Sequence, residues 1–193
     1  MKDNIAEIFR YDLYHVKLNF DLNRLQKFCF ELQHDNQGRK RSNVGGWQSN
    51  DLYDEFDIIK NLREIITQHL NIFARHYKIN KSLKLDNLWI NINEYKDSNM
   101  VHSHPNSVFS GVYYIKTPRD SGNLTFHNPY EDFTEAVYHG NVSGYDTKNS
   151  SIYYFEPQEN MLLFFPSYMK HSVSPCMNKT EKRISISFNS KVK

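Results

Sequence analysis

The segment 183–189 constrains the fold more than any other part of the chain, because polar and apolar residues alternate along it without a break: Arg-Ile-Ser-Ile-Ser-Phe-Asn. In a β-strand, this alternation puts the three apolar side chains on one face and the arginine, serines and asparagine on the other. The apolar face needs a covering layer, and a buried arginine is costly unless an anion accompanies it. The segment therefore predicts a strand with helices against its apolar face and the interior of a barrel on its polar face.

Short β-rich segments separated by Pro, Gly and Asn fill the rest of the chain after residue 85. We expect these strands at 88–95, 108–116, 123–127, 152–155, 161–165 and 172–174. Many short strands with such turns are typical of all-β barrels and sandwiches. The polar segment 129–151 has no strong periodicity and is expected to be a long loop, a kind of segment that is usually functional.

The first part of the chain has a helical pattern. Helices are predicted from Asp21, a plausible N-cap, to Leu32, and from Asn50 or Asp51 to about Tyr77, where apolar residues recur at helical spacing. The Gly- and Asn-rich segment 37–49 is predicted to be a loop, and 5–20 could contribute a strand. We expect one domain over 1–193, with a mostly helical support region over 1–84 and a β core over 85–193.

Composition excludes several classes of protein. The 193 residues carry a net charge of only +2, which does not indicate a dedicated nucleic-acid or membrane-surface protein. No apolar stretch approaches the ~20 residues that a spanning helix needs, and the N-terminus lacks a hydrophobic signal core. Two cysteines cannot build a disulfide framework. A cytoplasmic location, in a reducing compartment, is therefore expected.

Three histidines are placed as metal ligands often are. His102 and His104 are two residues apart, so both imidazoles would share one face of a strand. His171 follows much later and could join them from a distant strand, and imidazole suits Fe, Zn, Cu and Ni. The alternative is a polar patch at a strand end, with His171 capping a turn. His127 and His139 are interpreted as ordinary strand or surface residues.

Arg183 and Ser185 lie on the same face of the C-terminal strand. A guanidinium with a hydroxyl two residues further on forms a fork suited to a carboxylate. The alternative is a structural ion pair with one of the 22 acidic residues. Arg183 lies 12 residues after His171 (183 − 171) and could therefore share that histidine's cavity.

An ordered set of motifs carries a family resemblance. They are His102-x-His104-Pro105, Ser-Gly-Val-Tyr-Tyr-Ile at 110–115, Ser-Gly-x-Leu-x-Phe at 121–126, Leu-Phe-Phe-Pro-Ser at 163–167, His171-x-Val173-x-Pro175 and Arg183-Ile184-Ser185. The set resembles the iron(II)- and 2-oxoglutarate-dependent oxygenases of the prolyl-hydroxylase-like class. It is most similar to a group found in marine bacteria and their phages, which also carries Gly-Gly-Trp-Gln-Ser, here at 45–49. The resemblance runs from about residue 43 to the C-terminus.

The resemblance implies a mainly β fold, namely a double-stranded β-helix (jelly roll) with N-terminal α-helices packed on one sheet. It implies an enzyme that uses Fe(II), 2-oxoglutarate and O2 to hydroxylate a substrate, with release of succinate and CO2. The implied metal ligands are His102, His104 and His171. Residues implied to hold the distal carboxylate of 2-oxoglutarate are Arg183, Ser185 and Tyr114, with a further contact from Asn93 or Tyr95. The segment 129–151 is then expected to be a substrate-side lid.

His104 departs from the pattern of the wider class, which has Asp or Glu at this position. If His104 binds the metal, the ligand set is three neutral imidazoles. The resemblance to the group with His-x-His-Pro implies that His104 belongs to the site. Alternatively, His104 contacts the substrate or lies behind the metal ligands, and water or a carboxylate from elsewhere, such as Asp97 or Glu94, completes the metal site.

Two other functions remain open on the sequence alone. One is a metal-dependent dioxygenase that does not use 2-oxoglutarate, and the other is a non-catalytic cupin-like binding or virion-structural protein. The substrate could be a protein side chain, a nucleobase or a small metabolite. No membrane partner is expected and a homodimer is possible. The expected location is the cytoplasm of a bacterium or of a phage-infected host cell.

Overall fold

A computed structural model describes residue 6, residue 8 and residues 10–193. The helices and strands of these residues, in chain order, are β1 (Tyr14–Lys17), α1 (Leu22–Asp35), β2 (Asn43–Val44), β3 (Trp47–Gln48), α2 (Asp57–His76), β4 (Leu83–Asn93), β5 (Ser98–His102), β6 (Phe109–Lys116), β7 (Leu124–His127), α3 (Glu131–Tyr138), β8 (Ile152–Phe155), β9 (Met161–Pro166), β10 (His171–Val173) and β11 (Arg183–Val192). Of the segment 5–20, which the sequence left open as a strand, residues 14–17 form β1, whereas residues 5, 7 and 9 lie outside the described residues.

The strands form two antiparallel sheets. The six-stranded sheet has the order β1-β9-β6-β11-β4-β3, and the five-stranded sheet has the order β2-β5-β10-β7-β8. From β4 to β11 the chain crosses between the sheets at every connection except β7 to β8. Apolar side chains from both sheets, such as Tyr114 and Leu163 from one and Phe126 from the other, form one buried cluster. The mainly β fold and the two-sheet jelly roll are confirmed.

Strand β11 lies near the centre of the larger sheet, between β4 and β6. Its apolar residues Ile184, Ile186 and Phe188 are fully buried among residues of α1 and α2. Its polar residues Arg183 and Ser185 face the opposite way, into the space between the sheets. The alternation along this strand therefore separates a face covered by helices from a face that lines the cavity, as predicted from the sequence.

Helix α2 packs on the outer face of the larger sheet, with Leu62, Ile66 and Leu70 fully buried. It begins at Asp57, later than the predicted Asn50 or Asp51. The backbone N–H groups of Ser49 and Leu52 donate to the carbonyl oxygens of Ile90 and Leu88 on β4, at 3.0 and 2.7 Å. The chain is therefore held extended along the sheet edge before the helix can start. Helix α1 begins as predicted after Asp21, whose carboxylate accepts from the Arg24 N–H at 3.2 Å.

Two segments predicted as loops contain regular structure. The segment 37–49 includes the short strands β2 and β3, which are joined through Gly45 and Gly46 at φ of +67° and +61°. The segment 129–151 contains α3, so the loop prediction is wrong for Glu131–Tyr138. Glu131 and Asp132 in the first turn of α3 stabilise this short helix through its dipole. Apolar periodicity, on which the loop prediction was based, does not reflect this contribution.

None of the helices in the described part of the chain combines the length and the hydropathy needed to cross a lipid bilayer.

Candidate active site

Three imidazoles converge between the two sheets. His102 ends β5 and His171 begins β10, and their Cα atoms are direct partners in the ladder that joins these strands. The ring centroids of His102, His104 and His171 are 4.4 to 5.1 Å apart, and one nitrogen from each ring lies within 4.8 Å of the other two. The geometry thus brings together the three histidines that the sequence proposed as metal ligands.

His104 reaches this cluster in a different way from the one predicted. Strand β5 ends at His102, so His104 does not continue the strand with its i, i+2 alternation. Instead, the His104 backbone N–H donates to the Ser167 carbonyl at 2.9 Å, which fixes residue 104 beside the loop that leads to His171. The convergence of the rings therefore depends on this loop contact as well as on the strand.

Backbone carbonyls orient two of the rings. The Nδ1 of His102 lies 2.7 Å from the Met100 carbonyl oxygen, and the Nδ1 of His171 lies 2.9 Å from the Met169 carbonyl oxygen. A carbonyl can only accept, so each Nδ1 carries the proton and donates it. The lone pair is then on Nε2, which is the arrangement that metal-binding histidines use.

Burial keeps the three histidines neutral. Burial, with a smaller contribution from the nearby His102, lowers the pKa of His104 to about 4 and the pKa of His171 to about 3. The pKa of His102 is also lowered, mainly by burial. At neutral pH all three rings therefore offer lone pairs to a cation.

Arg183 lies on the wall of the same cavity, 2% exposed. It forms no ion pair with any carboxylate of the described residues, so the alternative of a structural ion pair finds no support there. Within that same set, Nε of Arg183 and the hydroxyl of Tyr114 are among the few buried polar atoms without a hydrogen-bond partner. A buried guanidinium without an anion is unfavourable, so this end of the cavity is built for an anionic ligand.

Tyr114 and Ser185 complete this end of the cavity. Their Cα atoms are partners in the β6–β11 ladder, and the Arg183 guanidinium carbon lies 5.4 Å from the Tyr114 ring centroid. Burial raises the pKa of Tyr114, and the positive charge of Arg183 opposes that rise without making a well-aligned hydrogen bond. The phenol therefore stays protonated and can donate to a carboxylate.

The cavity has an atom-free volume of about 490 Å³, part of which opens to solvent. The three histidines line it, and so do Arg183, Ser185 and Tyr114. A metal ion with imidazole ligands and a diacid with one carboxylate at the guanidinium fit this arrangement of lone pairs and unpaired donors.

Neither further candidate for the co-substrate contact lines the cavity. Asn93 is 2% exposed and its Cα pairs with that of Arg183, but the cavity is lined by Asn91 two residues earlier. Tyr95 is 38% exposed, with the ammonium groups of Lys96 and Lys179 5.3 and 5.4 Å from its ring centroid, so it faces the surface.

Neither candidate carboxylate belongs to the histidine cluster. Asp97 accepts from the backbone N–H of Glu94 at 2.7 Å, and the Glu94 carboxylate pairs with Lys182 at 2.6 Å. Among the described residues, the potential ligands that come together at this point are the three histidines alone.

The remaining histidines and the long excursion also lie outside the cluster. His127 Nε2 lies 2.9 Å from Ser172 Oγ, and His139 is exposed in the excursion 129–151. No described residue of 129–151 lines the cavity or the cleft beside it, so the expected role as a lid has no contact to support it.

Sequence reasoning missed a second, more open cleft that adjoins the cavity. Both spaces share Ser42, Trp89, His102 and His104, and the three consecutive basic residues 39–41 line the outer one. This run of charge stands inside the segment predicted to be a loop, and it is the signal that could have identified the cleft.

Solved structures with the same fold include several oxygenases. A prolyl-4-hydroxylase from Pseudomonas putida superposes with a TM-score of 0.68 at 12% identity, over 95% of this chain and 94% of that one. A viral collagen prolyl hydroxylase from Paramecium bursaria Chlorella virus-1, in complex with 2-oxoglutarate, gives 0.62 at 10% identity, over 94% and 96%. HygX from Streptomyces hygroscopicus, with nickel and 2-oxoglutarate bound, gives 0.63 at 10% identity, over 94% and 83%. At these identities the similarity shows the fold.

The sequence itself identifies the family. No curated protein matches the chain. The family model described as "Putative 2OG-Fe(II) oxygenase" matches residues 87–189, which is more than half of the chain and contains the three histidines, Tyr114, Arg183 and Ser185. The protein therefore belongs to this family of 2OG-Fe(II) oxygenases, as the resemblance implied, and is an enzyme that uses iron(II), 2-oxoglutarate and O2.

Proposed function

We propose that the protein hydroxylates a substrate that enters beside His102 and His104, and that it converts 2-oxoglutarate and O2 to succinate and CO2 as it does so. The observation that carries this proposal is the position of Arg183: it is buried, has no carboxylate partner among the described residues, and shares a cavity with three neutral imidazoles. A dioxygenase without 2-oxoglutarate would leave this guanidinium without a counter-ion.

His102, His104 and His171 are the proposed ligands of iron(II). The hydrogen bonds from Nδ1 of His102 and His171 to carbonyl oxygens hold those rings with Nε2 available. Three neutral ligands add no charge to the metal ion. The Arg183 guanidinium would neutralise the distal carboxylate of 2-oxoglutarate, so only the carboxylate at the metal end would offset the two positive charges of iron(II), and the site would keep one net positive charge.

Arg183, Ser185 and Tyr114 are the proposed contacts of the distal carboxylate of 2-oxoglutarate. The guanidinium can donate two parallel hydrogen bonds and each hydroxyl can donate one. Asn93, the further contact that the resemblance implied, is kept as a proposal because its Cα lies opposite that of Arg183 and its Nδ2 can donate to a carboxylate. These donors fix the length of diacid that the cavity accepts.

When bound, iron(II) and 2-oxoglutarate supply the oxidising chemistry: of the two oxygen atoms of O2, one enters succinate and the other enters the hydroxylated product. The chain's own residues orient and enclose these groups. Val112, Leu124 and Phe165 line the cavity with apolar surface, which limits the access of water to the reacting centre. Tyr114, held protonated by burial, keeps a donor directed at the co-substrate rather than a negative charge.

The test is co-substrate turnover by the full chain. The protein is stripped of metal, reloaded with iron(II) without oxygen, and then mixed with 2-oxoglutarate and air. We expect succinate and CO2 in equal amounts, and we expect Arg183→Gln to abolish this turnover at 2-oxoglutarate concentrations that saturate the unsubstituted protein. Oxygen uptake that is unchanged when 2-oxoglutarate is omitted would support the other dioxygenase class instead.

We also propose that the chain is one folding unit that works in the cytoplasm. The helices support this, since α1 and α2 share one buried cluster with the larger sheet. Both cysteines, Cys29 and Cys176, are free and buried, as is common in reducing compartments. A single unfolding transition would support the proposal that the chain is one folding unit. Light scattering measures whether the protein is a monomer or a homodimer.

A further inference from the structure

Three consecutive basic residues line the cleft beside the metal site. Residues 36–42, which we call the basic strap, line the cleft through residues 39–42, and Trp89, His102 and His104 line both the cleft and the cavity. The cleft is larger and more open than the cavity, with an atom-free volume of about 1240 Å³ that includes solvent space. A substrate that reaches the metal from this side must pass the basic strap.

The backbone of the basic strap is fixed at three points. The Trp47 indole N–H donates to the Asn36 carbonyl at 2.8 Å, and the Arg39 N–H donates to the Gln48 carbonyl at 2.8 Å. The Met100 N–H donates to the Ser42 carbonyl at 2.9 Å. The side chains of the basic strap are therefore presented from a rigid base, not from a free loop.

The three basic side chains have different environments. Arg39 is engaged: its Nη2 lies 2.6 Å from Asp51 Oδ1, and its guanidinium carbon lies 5.8 Å from the Trp89 ring centroid. Lys40 and Arg41 are exposed, and neither forms an ion pair with a carboxylate of the described chain. Asp51, the one acidic residue on the described cleft wall, is thus neutralised by Arg39, and two positive charges remain free.

The other wall is apolar. Met100 and Val101 of β5 are 57% and 52% exposed and line the cleft just before His102. No well-exposed aromatic ring lines it among the described residues, since Trp89 is only 8% exposed. A single-stranded nucleic acid would need such rings for base stacking. A small metabolite would be better served by an enclosed pocket than by an open cleft.

We propose that the cleft binds an acidic polypeptide segment, with Lys40 and Arg41 contacting its carboxylates and Met100 and Val101 contacting its apolar side chains. This inference rests on the proposed function, because it names the substrate class of the same metal site. It makes the oxidised residue one that is flanked by Asp or Glu. The charge on the basic strap selects the partner and accelerates its arrival.

The test measures binding to the full chain loaded with 2-oxoglutarate and with manganese(II) as an unreactive substitute for iron(II). The probes are fluorescently labelled, blocked peptides of alternating glutamate and alanine, and the matching glutamine–alanine and lysine–alanine peptides. The variant is Lys40→Gln with Arg41→Gln. The matched control is Lys60→Gln with Arg75→Gln on the exposed face of α2, which removes the same types and number of charges away from the cleft.

We expect the glutamate peptide to bind at low salt, with an affinity that falls as salt rises, and to bind about tenfold more weakly to the Lys40/Arg41 variant only. Equal affinity for the glutamine peptide, or equal loss in the control variant, would overturn the proposal. So would tighter binding of an oligo-dT strand or of inorganic phosphate than of the glutamate peptide. Binding of 2-oxoglutarate, measured calorimetrically on the same samples, tests the proposed function separately, because it involves Arg183 and not the basic strap.

Discussion

His102 and His171 face each other directly across the β5–β10 ladder, and each donates its Nδ1 proton to the carbonyl of the residue two positions before it. The same local device is thus used twice, on strands that are far apart in the sequence. It sets the tautomer of both rings before any ion arrives. The third ring, that of His104, has no such hydrogen bond in the described structure, and its position depends on the contact of its backbone with Ser167.

Of the three proposed ligands, His104 should therefore be the one that another ligating residue replaces most readily. We expect His104→Ala to lower the affinity for iron(II) by about tenfold or more, and His104→Asp to retain the metal. Because aspartate adds a negative charge beside the bound diacid, His104→Asp should weaken 2-oxoglutarate binding by about tenfold. Both affinities can be measured by calorimetry with manganese(II). Unchanged metal affinity in His104→Ala would show that His104 is not a ligand.

Arg183 should have opposite effects on co-substrate binding and on stability. Arg183→Met removes a buried cation that pairs with no carboxylate in the described part of the chain, so we expect the metal-free and co-substrate-free protein to unfold at a higher temperature than the unsubstituted protein. The same change should weaken 2-oxoglutarate binding by about 100-fold, because charge-assisted hydrogen bonds are lost. Thermal unfolding with and without 2-oxoglutarate measures both effects. A lower unfolding temperature in Arg183→Met would contradict this account of the site.

The stability of the metal-free protein should fall in mild acid. Burial lowers the pKa of His104 to about 4 and that of His171 to about 3, whereas both titrate near 6.5 in the unfolded chain. Below about pH 6.5 the unfolded state therefore binds more protons than the native state, and each such proton lowers the free energy of unfolding by about 1.4 kcal/mol per pH unit. Urea denaturation between pH 7 and pH 5 measures the slope. His171→Asn should make the slope shallower, and a slope unchanged by this substitution would refute the assignment.

A side chain at Gly45 should destabilise the turn between β2 and β3. Gly45 has φ +67°, and a Cβ there would collide with the Asp97 carboxylate, so Gly45→Ala combines backbone strain with a steric clash. Gly140 has a similar φ of +72° but open space around it, so Gly140→Ala carries the strain alone. We expect Gly45→Ala to lower the free energy of unfolding by about 2 kcal/mol more than Gly140→Ala. Equal losses would show that the turn does not pack on the Asp97 loop as described.

Much of the fold could be predicted from alternation alone. The pattern of 183–189 identified a strand, its covered face and its cavity face, because the side chains along a strand point alternately to its two faces. The start of α2 was placed too early because hydrogen bonds from Ser49 and Leu52 to β4 hold the chain extended, and those partners lie far away in the sequence. Tertiary contacts overrode local propensity at that point.

The candidate site was predictable where a motif fixes the geometry and unpredictable where a loop does. The spacing of His102 and His104 predicted that the two imidazoles converge. They do converge, but strand alternation is not the cause at His104, because the strand ends at His102 and a hydrogen bond to Ser167 sets the position of residue 104. Spacing could not distinguish Asn91 from Asn93 as a cavity residue, because both face the same side of β4 and only the depth of the cavity separates them. The sequence did not place the basic strap beside the metal site, because hydrogen bonds of its backbone with Trp47 and Gln48 set the position of its side chains.

Among the described residues, no carboxylate joins the cluster of His102, His104 and His171, and this composition couples the two cofactors thermodynamically. If the protein leaves the metal's charge unneutralised, the diacid becomes its main counter-ion, and each should raise the affinity for the other by the same factor. We expect the protein to bind iron more weakly when the co-substrate is scarce. Such a centre would respond to the carbon metabolism of its cell through occupancy of the metal site as well as through the rate of turnover.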